Sequence, residues 1–280
     1  MTVGIGSYTY GWATGAYRFG DYSAAVPDRP MNAIELIDKA VALEVKCVQI
    51  CVRPALEEMS SAELQAIRRH AEASGVALEI GTTGADTGHL LRFAEIAAEL
   101  GSPLVRTIWP NASDDLAVEA AAVEQVLPGY RSNRVVLAVE NHEDYSSHAL
   151  AALITRVNDR HLGVCLDSVN SLGRGEGTRE VTELLLPHAV SVHIKDFTSR
   201  RRPSGMGFEI TGAPAGHGRL DIGWLISRVV VECPEASIIL EQWSDFEGTL
   251  EKSIAAQDRD ATEGVAYLRQ SIRALMRHKK

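Results

Sequence analysis

Positive charge is scarce in this chain. Its 28 lysines and arginines stand against 37 aspartates and glutamates, for a formal net charge of −9. The one dense basic run, Arg200-Arg201-Arg202, is too short to grip a phosphate backbone, so nucleic acid is not an expected partner. Cysteine is scarce too. Cys47, Cys51, Cys165 and Cys233 lack C-x-x-C spacing and sit in apolar strand-like or helix-like runs, which predicts free thiols rather than a disulfide framework. No apolar run reaches membrane-spanning length and no apolar leader-like stretch opens the chain, so a soluble cytoplasmic protein with no membrane partner is expected. There is no low-complexity segment and no short-period repeat. Nor is there a glycine-rich phosphate turn after the first strand-like run. The stretch "GSYTYGW" (6–12) does not supply one, which argues against a doubly wound nucleotide-binding sheet.

What is present is regular alternation. Apolar strand-like runs cover Val3–Thr9, Cys47–Val52, Ala77–Gly81, Leu104–Trp109, Val135–Asn141, Leu162–Asp167, Val190–Lys195 and Ile238–Trp243. Amphipathic stretches lie between them, for example 31–44, 61–75, 87–101 and 115–130. Gly75 and Gly101 close two of these as C-caps, and Ser60 and Ser61, with Glu63 and Gln65 nearby, open another in the manner of an N-cap. Eight strands strictly alternating with eight helices predict a parallel sheet closed into a single (β/α)8 barrel, an α/β fold of one domain over residues 1–280. The one long irregular piece, 197–220, is expected to be functional.

Polar residues break the pattern at matched places. The fifth strand ends on Glu140, the sixth on Asp167, the seventh carries His193, and the eighth carries Glu241. Two residues back from each lie Ala138, Cys165, Ser191 and Ile239. The opposite parity holds Leu137, Val139, Val164, Leu166, Val192, Ile194, Ile238 and Leu240. Period-two geometry therefore turns the large aliphatics toward the helices and the acids toward the barrel mouth. Three carboxylates and an imidazole in one mouth repel each other unless a cation joins them. One divalent ion is expected, Mn²⁺ first, with Mg²⁺, Co²⁺ or Zn²⁺ as alternatives.

This constellation, Glu140 in "VENHE", Asp167 in "CLDSVNS", His193 in "VHIKDF" and Glu241 in "ILEQW", resembles the xylose-isomerase-like TIM-barrel family over nearly the whole chain. That family includes ketose 3-epimerases, hydroxypyruvate isomerases, several dehydratases and endonuclease IV. The resemblance implies that the four residues ligate the metal and that Glu140 and Glu241 shuttle protons on opposite faces of the substrate. Two positions depart from the epimerase pattern. Asn170 stands where those enzymes carry a histidine, and Ser146 where they carry a second glutamate.

Further residues are candidates for holding substrate. Arg106 has barrel-facing parity and suits a carboxylate or phosphate, the alternative being a buried ion pair with an acid such as Glu79. His142, Asn170, Lys195, Arg200 and His217 complete the expected substrate contacts, with Asp196 read as a ligand-orienting or loop-capping group. Tyr8, Tyr10, Trp12, Trp109 and Trp243 are read as pocket walls, and Arg200–Phe208 as a cover hinged on Gly205 and Gly207. The expected enzyme is a metal-dependent isomerase or epimerase of a small ketose or keto sugar acid, working through a stabilised enediolate. The alternative is a lyase, a 3-oxo sugar-acid decarboxylase or a dehydratase. A phosphodiesterase is disfavoured by the charge, a metal-free sugar-binding barrel by the ligand set. Self-association is left open.

Overall fold

The computed structural model describes residues 2–17, 20–22 and 24–278. Eight parallel strands close into a barrel: β1 (Thr2–Gly6), β2 (Cys47–Cys51), β3 (Ala77–Thr83), β4 (Leu104–Ile108), β5 (Val136–Glu140), β6 (Leu162–Asp167), β7 (Ala189–Ile194) and β10 (Ser237–Leu240). A two-stranded antiparallel hairpin, β8 (Asp196–Arg201) and β9 (Phe208–Ala213), follows β7 directly. A short turn, α1 (Gly11–Thr14), precedes eight outer helices: α2 (Ala33–Ala42), α3 (Ser61–Ser74), α4 (Thr87–Leu100), α5 (Ala117–Asn133), α6 (Ser147–Val157), α7 (Thr178–Leu185), α8 (Ile222–Glu232) and α9 (Leu250–His278).

Local chemistry sets the helix ends. Asn32 with Glu35 and Ser60 with Glu63 form reciprocal capping boxes at α2 and α3. Gly75 and Gly101 adopt the left-handed conformation that ends α3 and α4, at φ 63° and 73°. Ser146, the position that departs from the epimerase pattern, caps α6 by accepting from the Ala149 N–H.

The two parities separate as the sequence implies. Leu137, Val139, Val164, Leu166, Val192, Ile194, Ile238 and Leu240 are buried with the helices in one continuous core. Leu104, Ala138 and Cys165 form a small apolar plug on the barrel axis. Burying each large aliphatic contributes about 1.5–3 kcal/mol, so a one-residue slip of any strand would be strongly disfavoured. All four cysteines are free.

Three expectations need correcting. The first strand stops at Gly6, because Thr9 Oγ1 accepts the Gly6 N–H and winds Ser7–Tyr10 into a tight turn. The 197–220 segment is not irregular, since most of it is the β8–β9 hairpin. Tyr10 and Trp109 are buried core residues, not pocket walls. Asp196 anchors the chain beyond the hairpin. Its carboxylate accepts the backbone N–H groups of Phe197, Gly216, Gly218 and Leu220, at 2.8–3.0 Å.

Candidate active site

Adjacent strands bring the four polar ends to one level. Asp167 pairs in register with His193, and His193 with Ile239, two residues before Glu241. Glu241 lies one residue past β10, yet its N–H donates to the Ile194 carbonyl and keeps it in line. His193 Nδ1 stands 3.2 Å from Glu140 Oε2, 3.4 Å from Glu241 Oε1 and 3.8 Å from Asp167 Oδ2. All four side chains are essentially inaccessible to solvent.

The rest of the network decides what these atoms can do. Arg106 Nε donates to Glu140 Oε2, and Asn170 Nδ2 donates to Glu140 Oε1 at 2.7 Å. Asp167 Oδ1 accepts the N–H groups of Val169 and Asn170, at 2.8 and 2.7 Å, and so leaves Oδ2 to face the centre. Lys195 Nζ lies 2.9 Å from both Asp167 Oδ2 and Glu241 Oε2, and 3.2 Å from Asn170 Oδ1. On the far side of the imidazole, His193 Nε2 meets Gln49 Oε1 at 2.7 Å, while Gln49 Nε2 donates to Glu79 Oε2 at 2.8 Å. Glu79 therefore turns the Gln49 amide so that its oxygen must receive the Nε2 hydrogen. That leaves Nδ1 as the edge of the ring that faces three carboxylates.

Burial works against charge here, and the neighbours overrule it. Burial pushes the Glu140 carboxyl up, but Arg106, His193 and Lys195 hold it well below the usual carboxylate range. Glu241 is likewise held down by His193 and Lys195 against the effect of burial. Burial would neutralise Lys195, yet Asp167, Glu241 and Glu140 keep it a cation, well above its ordinary value. Burial opposes charge on His193 too, yet Cys165, Glu241 and Glu140 hold its imidazole well above its ordinary value, so the three carboxylates face Arg106, Lys195 and a proton on His193.

The donor set fits a divalent ion. His193 Nδ1 and Glu241 Oε1 are buried without a hydrogen-bond partner among the described residues. Ligand atoms of Asp167, His193 and Glu241 lie within 4.8 Å of one another. Two orphaned buried ligand atoms among three carboxylates are what a divalent cation would satisfy, with the imidazole proton leaving as it binds.

A cavity of about 850 Å³ opens onto this cluster. Tyr8, Trp12, Tyr17 and Trp243 wall it, and Arg106, His142, Asn170, Lys195 and Glu241 reach its floor and sides. Trp12 meets Tyr17 edge-on at 5.2 Å between ring centres, and Lys195 Nζ sits 5.6 Å from the Trp243 ring. His142 is clamped by Glu143 and Asp144, 2.9 and 3.2 Å from its Nδ1.

Two expected substrate contacts are not brought here. Arg200 is exposed on the hairpin and pairs with Glu209, because β8 and β9 carry the basic run away from the barrel. His217 is exposed in the turn that Asp196 gathers, with Glu263 its nearest acid at 3.8 Å. Arg106 pairs with Glu140 rather than with Glu79, which is held by Gln49 and Ser191. The sequence reading passed over Gln49 and Arg53, and took Glu79 only as a possible partner of Arg106. Gln49 in "CVQIC" and Glu79 in "ALEIG" are lone polar residues of barrel-facing parity in apolar strands, a signal that was available. Replacing Gln49 by methionine removes the acceptor that fixes the imidazole. Metal affinity, read by calorimetry, should fall about 10- to 100-fold with little change in the far-ultraviolet spectrum. Unchanged affinity would separate Gln49 from the site.

Comparison with known proteins agrees with this architecture. The family model for the xylose isomerase-like TIM barrel matches residues 37–271. A 3-oxo-isoapionate decarboxylase from Pectobacterium atrosepticum is 28% identical over 270 residues, covering 96% of this chain and 95% of that one. The fold is also similar to D-psicose 3-epimerase from Clostridium cellulolyticum with D-tagatose, at 13% identity and TM-score 0.72, covering 97% of this chain and 99% of that one. A xylose isomerase-like TIM barrel protein from Mycobacterium smegmatis in complex with magnesium gives 17% identity and TM-score 0.68, covering 94% and 97%. A match that begins within α2 and ends within α9 takes in nearly the whole barrel, and the chain belongs to the xylose isomerase-like TIM barrel family.

Proposed function

We propose that the protein is a divalent-metal-dependent lyase that decarboxylates a small 3-oxo sugar acid. One observation carries this choice over the isomerase reading: both oxygens of Glu140 are engaged, by Arg106 and Asn170, and its carboxyl is held strongly ionised. A group so held can ligate a cation through its remaining lone pairs but is a weak base. An epimerase needs two competent bases on opposite faces, whereas decarboxylation requires no proton abstraction. The full-length likeness to a 3-oxo-isoapionate decarboxylase supports the same reading.

Glu140, Asp167, His193 and Glu241 would hold the ion, and their oxygen-rich set suits manganese or magnesium. Bound there, a divalent ion supplies Lewis-acid withdrawal of electrons from the substrate carbonyl. The bond between the carboxylate carbon and its neighbour breaks, carbon dioxide leaves, and the electron pair stays on the neighbouring carbon. Lys195, held as a cation and lining the cavity, returns a proton to that carbon. Trp12, Tyr17 and Trp243 limit water around the reacting atoms.

Glu241 Oε1, which has no hydrogen-bond partner among the described residues, favours a second reading, a proton-shuttling ketose isomerase. The test is a reaction in D₂O with Mn²⁺ or Mg²⁺. The lyase should release carbon dioxide from 3-oxo sugar acids and place one deuterium at the carbon that lost it. Deuterium exchange into simple ketoses without carbon dioxide release would overturn the lyase reading in favour of the isomerase.

A further inference from the structure

A guanidinium at the cavity rim is left without a counter-charge. Arg106 is tied to Glu140, and Lys195 to Asp167 and Glu241. Arg53 lines the same cavity, half-buried, and no carboxylate lies within ion-pair distance of it among the described side chains. On the hairpin, by contrast, Arg200 and Arg202 both lie within 4 Å of Glu209.

The backbone holds Arg53 in place. Ser7 Oγ donates to the Arg53 carbonyl and accepts the Cys51 N–H at 3.0 Å, clamping the end of β2 to the turn that follows β1. Between them Val52 sits in the left-handed region at φ 60°, which a β-branched residue rarely adopts. A chain held in that conformation next to a cavity is the kind of strain that collects at binding sites. The guanidinium fork recognises carboxylates through paired hydrogen bonds, which a neutral hydroxyl cannot reciprocate with charge.

We infer that Arg53 is the carboxylate-recognition subsite of the cavity, so that the enzyme selects anionic sugar acids over neutral sugars of the same length. This rests on the reading of the cavity as a metal-dependent sugar site and assigns to Arg53 the part that the sequence suggested for Arg106.

The experiment compares two probes that differ only in charge, L-threonate and the neutral polyol L-threitol. Binding to the full-length protein is measured by calorimetry with and without Mn²⁺. Wild type should bind threonate roughly 10- to 100-fold more tightly than threitol, the range of one charge-assisted contact. R53Q should lose that preference while its threitol affinity and manganese affinity stay as in wild type, and R53K should regain part of it. If both probes bind only with manganese but wild type shows no preference, or R53Q keeps it, the Arg53 subsite is overturned while the sugar-site reading stands. If neither probe binds in a manganese-dependent way, both fail.

Discussion

Asp167→Ala should empty the proposed metal site and lower kcat/KM by about 10³-fold or more, the scale of losing several kcal/mol of Lewis-acid stabilisation. Asp167 does two jobs with two oxygens. Oδ1 receives the N–H groups of Val169 and Asn170 and shapes the loop after β6, while Oδ2 faces the cluster. Alanine removes both functions. Asparagine keeps an oxygen for the loop and removes the charge. Metal content by mass spectrometry should therefore collapse in both variants, whereas the thermal midpoint should fall mainly in Asp167→Ala. An asparagine variant that binds metal like wild type would refute the metal site.

Arg106→Leu should be the most destabilising single change at the site, by about 3–5 kcal/mol, because it leaves the Glu140 carboxylate buried without its cation. The pH dependence carries a defined sign. Glu140 titrates below its ordinary value in the folded chain, so its contribution is complete above the ordinary carboxylate range and is lost as the pH falls through the depressed value. The gap between wild type and Arg106→Leu, measured by urea unfolding, should thus be widest near neutrality and narrow in acid. Adding Glu140→Gln should recover part of the loss, since the uncompensated charge is then gone. A gap that does not change with pH would mean the variant suffers from lost packing alone. Affinity for L-threonate and for L-threitol should fall together, in contrast to the selective loss expected at Arg53.

The barrel and the convergence of its four polar strand ends could be read from the sequence because both rest on period-two parity, which survives without tertiary information. Glu140, Asp167 and His193 are conspicuous as polar residues on otherwise aliphatic strands, and Glu241 follows by the same count. Arg53 is hidden by contrast. Its approach to the cavity depends on a left-handed Val52 and on a clamp from Ser7, 46 residues away, and neither leaves a mark in composition or spacing. The hairpin was missed for another reason. Thr198, Arg200, Phe208 and Ile210 show no buried face to alternate against, so the strand signal dissolves into polarity. The partner of Arg106 was a matter of choosing between acids, and only the register between β4 and β5, which sets Arg106 opposite Ala138, brings Glu140 within its reach.

The β8–β9 hairpin has a mechanical meaning. One end leaves the barrel through Lys195, the single residue between β7 and β8. The other returns at Gly212, so tight against Trp243 that even a Cβ there would strike the tryptophan's main chain. At the far end, Met206 and Phe208 stand exposed to solvent. An antiparallel ribbon held at its root and exposed at its tip is a lever whose short arm ends at the cavity that Lys195 and Trp243 line. A load on that tip, from a crystal neighbour, a fused tag or a surface to which the protein is tethered, reaches Lys195 and Trp243 before any other part of the barrel. Immobilisation chemistry for this protein therefore belongs on the outer helices.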